Sequence, residues 1–334
     1  SGRWTWCGRR RIRCGEAAIS DLEHGGDPVR GESRYVRQAA LAGIGPDGQR
    51  RIRAATALIA GCGALGSMQA EWLARAGVGR LLLVDRDILE LHNLQRQSLY
   101  DEEDVRARLP KAIAAARRLK KINSEIEVEG RVEDLVPANA AEWVRRADVV
   151  LDGTDNLETR YLLNDAAVHE RKPWIYGGVM GGAGMAMAVF PEKGPCLRCL
   201  YPEPPGAGDL PTCETMGVLN AAVAWVAALQ VAQALKALVQ GVPDRFHLHA
   251  MDVWSGKALA IRAERNPDCP CCGRRRFEFL ESRRTSATAT LCGRNAVQIT
   301  PAIPLALDLG KLAERLCGLG EVERRGYFLE VWRA

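Results

Sequence analysis

Between an apolar run of strand type, Ala57-Leu58-Ile59-Ala60, and a helical pattern through Met68, Trp72 and Leu73, the chain carries Gly61-Cys62-Gly63-Ala64-Leu65-Gly66. No other stretch limits the possible architecture as much. Gly77 and Gly79 end the helical pattern, and Arg80-Leu81-Leu82-Leu83-Val84-Asp85 is a second apolar strand closing on an acid. Strand, glycine turn, helix and strand form a βαβ unit, which requires a parallel sheet. Gly61, Gly63 and Gly66 have mechanical tasks there: a tight turn, close backbone approach to a phosphate, and contact of helix with strand. The helix N-terminus then faces an anion, and Asp85 ends the next strand where an acid meets ribose hydroxyls. The pattern indicates a nucleotide without distinguishing NAD from ATP. No G-x-x-x-x-G-K-[ST] run occurs, so a P-loop is excluded.

The alternation of strands and helices continues. Helices are expected over Lys111–Lys120, Ala138–Arg146 and Thr159–Arg171, and strands over Glu125–Arg131, Val149–Asp152 and Trp174–Tyr176. Gly177–Gly184 reads as a glycine-rich turn, and His247–Asp252 with Leu259–Arg262 as a hairpin. This predicts an α/β fold with a Rossmann-like, doubly wound, mostly parallel sheet. Residues 1–32 read as a disordered tail beginning at Ser1, consistent with a fragment or processed start. Residues 33–281 read as the main domain, and 282–334 as a linker with a small α+β segment that stops in a strand. Val218–Val239 has the length of a membrane span but contains Asn220, Gln230, Gln233 and Lys236, which predicts a buried core helix. No membrane partner is expected. The net charge of +5 is too small to indicate nucleic acid without clustering on one face.

Charged residues cluster after the second strand. In Asn93-Leu94-Gln95-Arg96-Gln97 a helical turn places Asn93, Arg96 and Gln97 on one face. Lys111 opens a helix after Pro110, where a cation is electrostatically out of place unless an anion is near. Asp152-Gly153-Thr154-Asp155-Asn156 adds acids at a strand end. Asp155 suits Mg²⁺, which keeps most of its waters and takes one or two carboxylates; the competing reading makes it a helix cap over Arg160. A hydride-transfer site has little use for two extra cations near phosphates. A reaction on ATP does, because an attacking carboxylate and a triphosphate repel each other. His92, His169, His247 and His249 are scattered and read as structural, which weakens the dehydrogenase alternative.

The chain has 11 cysteines and no apolar stretch following its early arginines, so it reads as a cytoplasmic protein with reduced thiols, not a disulfide framework. Cys196-x-x-Cys199 and Cys269-x-x-Cys272 supply a closed four-thiolate zinc set, with Cys271 as an extra thiol inside the second pair.

These features together resemble the HesA/MoeB/ThiF adenylyltransferases of the ubiquitin-activating (E1-like) superfamily. The resemblance rests on Arg34-Tyr35-x-Arg37-Gln38, Gly61-x-Gly63-x-x-Gly66, Asp85-x-Asp87, Asn93-Leu94-Gln95-Arg96-Gln97, Pro110-Lys111-Ala112, Asp152-x-Thr154-Asp155-Asn156 and both cysteine pairs, in the family's order over about Ser33 to Glu281. It implies an enzyme that uses ATP and Mg²⁺ to adenylate the C-terminal glycine of a ubiquitin-like sulfur carrier of the MoaD or ThiS type. Arg96 and Lys111 match the phosphate-binding residues, Asp85 the ribose ligand and Asp155 the magnesium ligand. Asn93 and Gln97 match positions that shape the nucleotide site, where Gly61, Gly63, Gly66, Asp87 and Asn156 also belong. It implies a homodimer in which the residue matching Arg37 reaches the partner's site. Thr212-Cys213-x-x-x-Gly217 resembles the family's cysteine loop, whose thiol is covalent in some members and dispensable in others; Cys213 reads either way, as catalytic or as a plain buried thiol. No rhodanese domain follows, so a separate sulfur donor is expected. An E1-like enzyme acting on a tRNA base or a peptide is the nearest alternative.

Overall fold

The computed structural model describes residues 32–205, 216–282, 288–291, 296–299, 308–318, 320–325 and 328–332. Its framework is an eight-stranded sheet in the order β3-β2-β1-β4-β5-β6-β7-β8. The strands are β1 (Thr56–Ala60), β2 (Arg80–Val84), β3 (Glu127–Arg131), β4 (Val149–Asp152), β5 (Trp174–Met180), β6 (Ala183–Val189), β7 (His247–Asp252) and β8 (Lys257–Arg262). β1 to β5 pair in parallel and β5 to β8 antiparallel.

The helices are α1 (Val36–Ala39), α2 (Gly45–Ala54), α3 (Ala64–Ala76), α4 (Glu102–Arg106), α5 (Lys111–Ile122), α6 (Pro137–Arg145), α7 (Leu157–Glu170), α8 (Leu197–Leu200) and α9 (Asn220–Gln240). They cover both faces of the sheet. Ala57, Ile59, Leu81, Leu83 and Leu151 pack toward α3, α5 and α9, while Leu58, Leu82 and Val150 pack toward α6 and α7. Burial on both faces explains why the parallel strands read as unbroken apolar runs instead of alternating ones. β1 lies between β2 and β4, so the chain leaves it in opposite directions, and ligands bind at such a switch point beyond the carboxyl ends of the strands.

The 21-residue helix α9 is long and apolar enough to cross a membrane by composition, yet it is a core helix here. Ala222, Val223, Val226, Ala227, Gln230 and Ala234 are buried against the sheet and α3. Gln230 Nε2 donates to the carbonyls of Asp152 and Ile175 at 2.9 and 3.0 Å. This packing also corrects the reading of Gly177–Gly184 as a turn. β5 runs on through Met180, and only Gly181 and Gly182 separate it from β6. A methyl group on Gly177 would lie 2.4 Å from the Gln230 amide, so this glycine lets the helix approach the strand.

Within 282–334, the strand Thr288–Leu291 pairs antiparallel with Ala296–Ile299. Beyond it, Leu309–Leu316 is helical and Glu321–Arg325 pairs with Phe328–Trp332. The expected tail over residues 1–32 falls almost wholly outside the described residues.

Candidate active site

Three glycine backbones meet at the carboxyl end of β1. Gly61 has φ +87°. A methyl on Gly66 would sit 1.8 Å from the Gly61 carbonyl oxygen, and one on Gly153 would sit 2.4 Å from the same atom. Gly63 differs. A methyl there would meet nothing closer than Gln97 Nε2 and the Gly153 carbonyl, both at 3.9 Å. The protein's own atoms leave this position room, which is what the second glycine of a phosphate-binding turn provides for a ligand. No side chain caps the N-terminus of α3, so its first N–H groups and the positive end of its dipole face outward.

The turn is tied to the residues around it. The Cys62 N–H donates to Asp85 Oδ2 at 2.6 Å, and the Asp87 N–H donates to Asp85 Oδ1 at 2.7 Å. Tyr100 donates its hydroxyl to the Cys62 carbonyl at 2.7 Å and lies 3.3 Å from the Lys111 carbonyl. No spacing rule marks Tyr100, and sequence reasoning missed it. Lys111 is buried, its N–H donates to the Asp87 carbonyl at 2.8 Å, and its Nζ lies 2.9 Å from Asp87 Oδ2. Burial works against the lysine's charge, but Asp85, Asp87 and Asp155 outweigh it and hold its pKa above the ordinary value. Burial pushes the Asp85 carboxyl up, against the pull of Lys111 and the two N–H donors.

A 3-10 turn, Leu91–Asn93, runs into a further turn closed by a bond from the Gln97 N–H to the Asn93 carbonyl at 3.0 Å. Asn93 and Gln97 are both buried, as one shared face requires, while Arg96 is half-buried and donates to the His92 carbonyl at 2.9 Å. Gln97 Oε1 is buried without a hydrogen-bond partner among the described residues. Asp155, in the loop after β4, is exposed. The cap of α7 is Asn156, whose Oδ1 accepts from the N–H groups of Glu158 and Thr159 at 2.8 and 3.4 Å. The capping alternative for Asp155 is thereby corrected.

Arg37 lies elsewhere. Its neighbour Gln38 donates to the Ala76 carbonyl at 2.8 Å, and Tyr35 is buried against Gly77. Both contacts are at the C-terminal end of α3, whose 13 residues span about 20 Å from the glycine turn. Arg37 is exposed and cannot reach the glycine turn of its own chain. Cys213 lies outside the described residues.

The two cysteine pairs do meet. The Sγ atoms of Cys196, Cys199, Cys269 and Cys272 all lie within 4.8 Å of one another. Zn–S bonds of about 2.3 Å in a tetrahedron place sulfurs about 3.8 Å apart, so the set fits a closed zinc site with little movement. Cys271 is not one of the four: it is buried beside them against Cys196, and its Sγ accepts from Asn164 Nδ2 at 3.3 Å and contacts Asp165. Asn164 also accepts the Leu197 N–H at 2.8 Å, and Asp165 accepts that of Phe279 at 3.0 Å, which fastens α7 to both ends of the sulfur cluster. Neither anchoring residue carried a sequence signal.

Known proteins are similar to this chain. The sulfur carrier protein ThiS adenylyltransferase of Bacillus subtilis (strain 168) is 44% identical over 299 residues, covering 89% of this chain and 88% of that one. The sulfur carrier protein adenylyltransferase of Thermus thermophilus is 42% identical over 247 residues, covering 72% and 90%. Among solved structures, Escherichia coli MccB with MccA-N7isoASN superposes with a TM-score of 0.64 at 24% identity, over 73% of this chain and 75% of that one, a likeness of fold. The model of the ThiF family runs through residues 35–271, from the segment that carries Arg37 to the second cysteine pair. A match of that extent, laid over the glycine turn, the buried lysine and the sulfur cluster just described, makes this chain a member of the ThiF family.

Proposed function

We propose that the chain is an ATP-dependent adenylyltransferase that activates the C-terminal glycine carboxylate of a ubiquitin-like sulfur carrier, of the ThiS or MoaD type. One observation carries this reading. Residues from four separate stretches, Asp85 with Asp87, Gln97, Lys111, and Asp155, lie about an uncapped helix N-terminus beside Gly63, which supports this reading, and Arg96 adjoins Gln97 in the chain. The 44% identical relative is a ThiS adenylyltransferase, which supports the substrate class.

In this mechanism Asp85 takes the ribose hydroxyls, and the α3 N-terminus, Lys111 and Arg96 take the phosphates. Asn93 and Gln97 hold the segment that carries Arg96. Asp155, the exposed carboxylate, would hold Mg²⁺, which supplies charge neutralisation when bound. An oxygen of the carrier carboxylate bonds to the α-phosphorus as the bond from that phosphorus to the bridging oxygen breaks. Pyrophosphate leaves with the electron pair, and acyl-adenylate remains. Positioned cations offset the repulsion between the two anions and the charge that builds on the α-phosphoryl oxygens. The distance of Arg37 from its own glycine turn supports a homodimer in which it serves the partner's site. The four cysteines would hold a structural zinc ion, in keeping with a reducing cytoplasmic setting. A separate sulfur donor would convert the adenylate to a thiocarboxylate.

ATP–pyrophosphate exchange with carriers ending in Gly-Gly tests the proposal. Exchange that requires a carrier is expected. Folded protein that exchanges with no carrier of either type would refute it.

A further inference from the structure

Asp152, the last residue of β4, is an acid with no exposure at all. Its Oδ1 accepts from the N–H and the hydroxyl of Thr154 at 3.0 and 2.7 Å. Its Oδ2 faces Arg160 Nε at 3.2 Å. Arg160 stands in the first turn and a half of α7 and reaches back over the loop. Its Nη2 donates to the Thr154 carbonyl at 2.7 Å, and its guanidinium lies 5.7 Å from the centre of the Tyr176 ring. Thr154 is therefore gripped at its N–H, its hydroxyl and its carbonyl by one buried ion pair. Asn156, on the other side of Asp155, is held by its bonds to the α7 N-terminus. Asp155 projects between two locked residues and is one of the charges that acts on Lys111.

A buried ion pair is costly to desolvate, and a fold gains little stability from one. This one directs three hydrogen bonds onto Thr154, in the loop 153–156 whose exposed carboxylate, Asp155, is near enough to Lys111 to act on its charge. The geometry points to Arg160 as a positioning residue that, through Thr154, sets the aim of Asp155 at the divalent cation accompanying the nucleotide. The inference rests on the adenylyltransferase reading for the identity of the ligand. Outer groups that orient a metal-binding carboxylate typically change metal affinity about 10- to 100-fold when removed.

The test uses the full chain, a non-hydrolysable ATP analogue with an α,β-methylene bridge, and Mn²⁺ followed by its electron paramagnetic resonance. Arg160→Gln is expected to weaken Mn²⁺ binding about tenfold or more, while affinity for the analogue measured without metal stays near wild type. Arg160→Lys, which keeps the charge and loses the fork, should fall between the two. The double variant Arg160→Gln/Asp155→Asn should bind Mn²⁺ no worse than Asp155→Asn alone, because the arginine acts through that carboxylate. Mn²⁺ affinity unchanged in Arg160→Gln, or losses that add in the double variant, would overturn the inference. If Arg160→Gln does not fold, a folded Arg160→Lys with wild-type Mn²⁺ affinity overturns it equally. The measurement needs no carrier, so an error in the carrier assignment would leave its result unchanged.

Discussion

Lys111 and Asp87 are joined twice, by a backbone bond of 2.8 Å and by side-chain atoms 2.9 Å apart. The pair buries an ammonium at the start of a helix, where the dipole opposes it, and only the surrounding carboxylates make that placement tolerable. Such a cation is already oriented and largely dry before any phosphate arrives. Replacing it removes charge stabilisation that needs no reorganisation. Lys111→Ala is expected to lower pyrophosphate exchange by roughly two decades, about 3 kcal/mol. Exchange near the wild-type rate would take Lys111 out of the chemistry.

The position of Arg37 leads to a complementation experiment. Arg37→Ala and Lys111→Ala chains should each be nearly inactive. If Arg37 serves the partner's site, mixing and reassembly makes half of the dimers mixed, each with one intact site. About one quarter of wild-type activity should return. No recovery, with subunit exchange confirmed by mass, would mean that Arg37 does not act across an interface.

The partners of Cys271, Asn164 and Asp165 as well as Cys196, give a compositional prediction. Elemental analysis should find about one zinc per chain, retained in Cys271→Ser and lost in Cys272→Ser. Zinc loss in the Cys271 variant would place that thiol among the ligands.

Asp165 has no exposure, and burial pushes its pKa up to about 6. An acid whose pKa is raised by folding holds more protons in the native state between the two values. Stability from this group is therefore present at low pH and declines as pH rises from about 4 to about 6, then levels. The size is about 3 kcal/mol for about two pKa units. Urea unfolding of wild type and Asp165→Asn should differ by a gap that widens in the variant's favour over that window. A gap constant with pH would show that the carboxyl is not shifted.

The approach of α9 to β5 gives a packing prediction. Gly177→Ala should destabilise by about 1–3 kcal/mol, and its loss should be less than additive with that of Gln230→Ala, which removes the facing amide. A thermal midpoint unaffected by Gly177→Ala would contradict the contact.

Much of this molecule is legible residue by residue. The glycine turn, its two strands and its helix depend on contacts between near neighbours, so spacing alone revealed them. The cysteine pairs announce themselves because few other arrangements need two thiols three residues apart. The apolar helix α9 was separable from a membrane span by Gln230, a polar residue that makes sense only against the carbonyls of Asp152 and Ile175.

Long-range contact settled the rest. Gly177 looks like a turn residue until a helix more than forty positions later arrives against it. Asp155 and Asn156 are adjacent and interchangeable as caps on paper, and the direction of the chain leaving β4 assigns the cap to Asn156. Arg37 belongs to the same motif as Gln38, yet the anchoring of Gln38 at Ala76 sends it to the far end of α3. Charge, hydrogen-bonding capacity and hydropathy are properties of single residues and can be read in order along the chain. Which charge is buried, which carboxylate stays exposed and which arginine is out of reach depend on distances between segments that meet only when the sheet closes over its core.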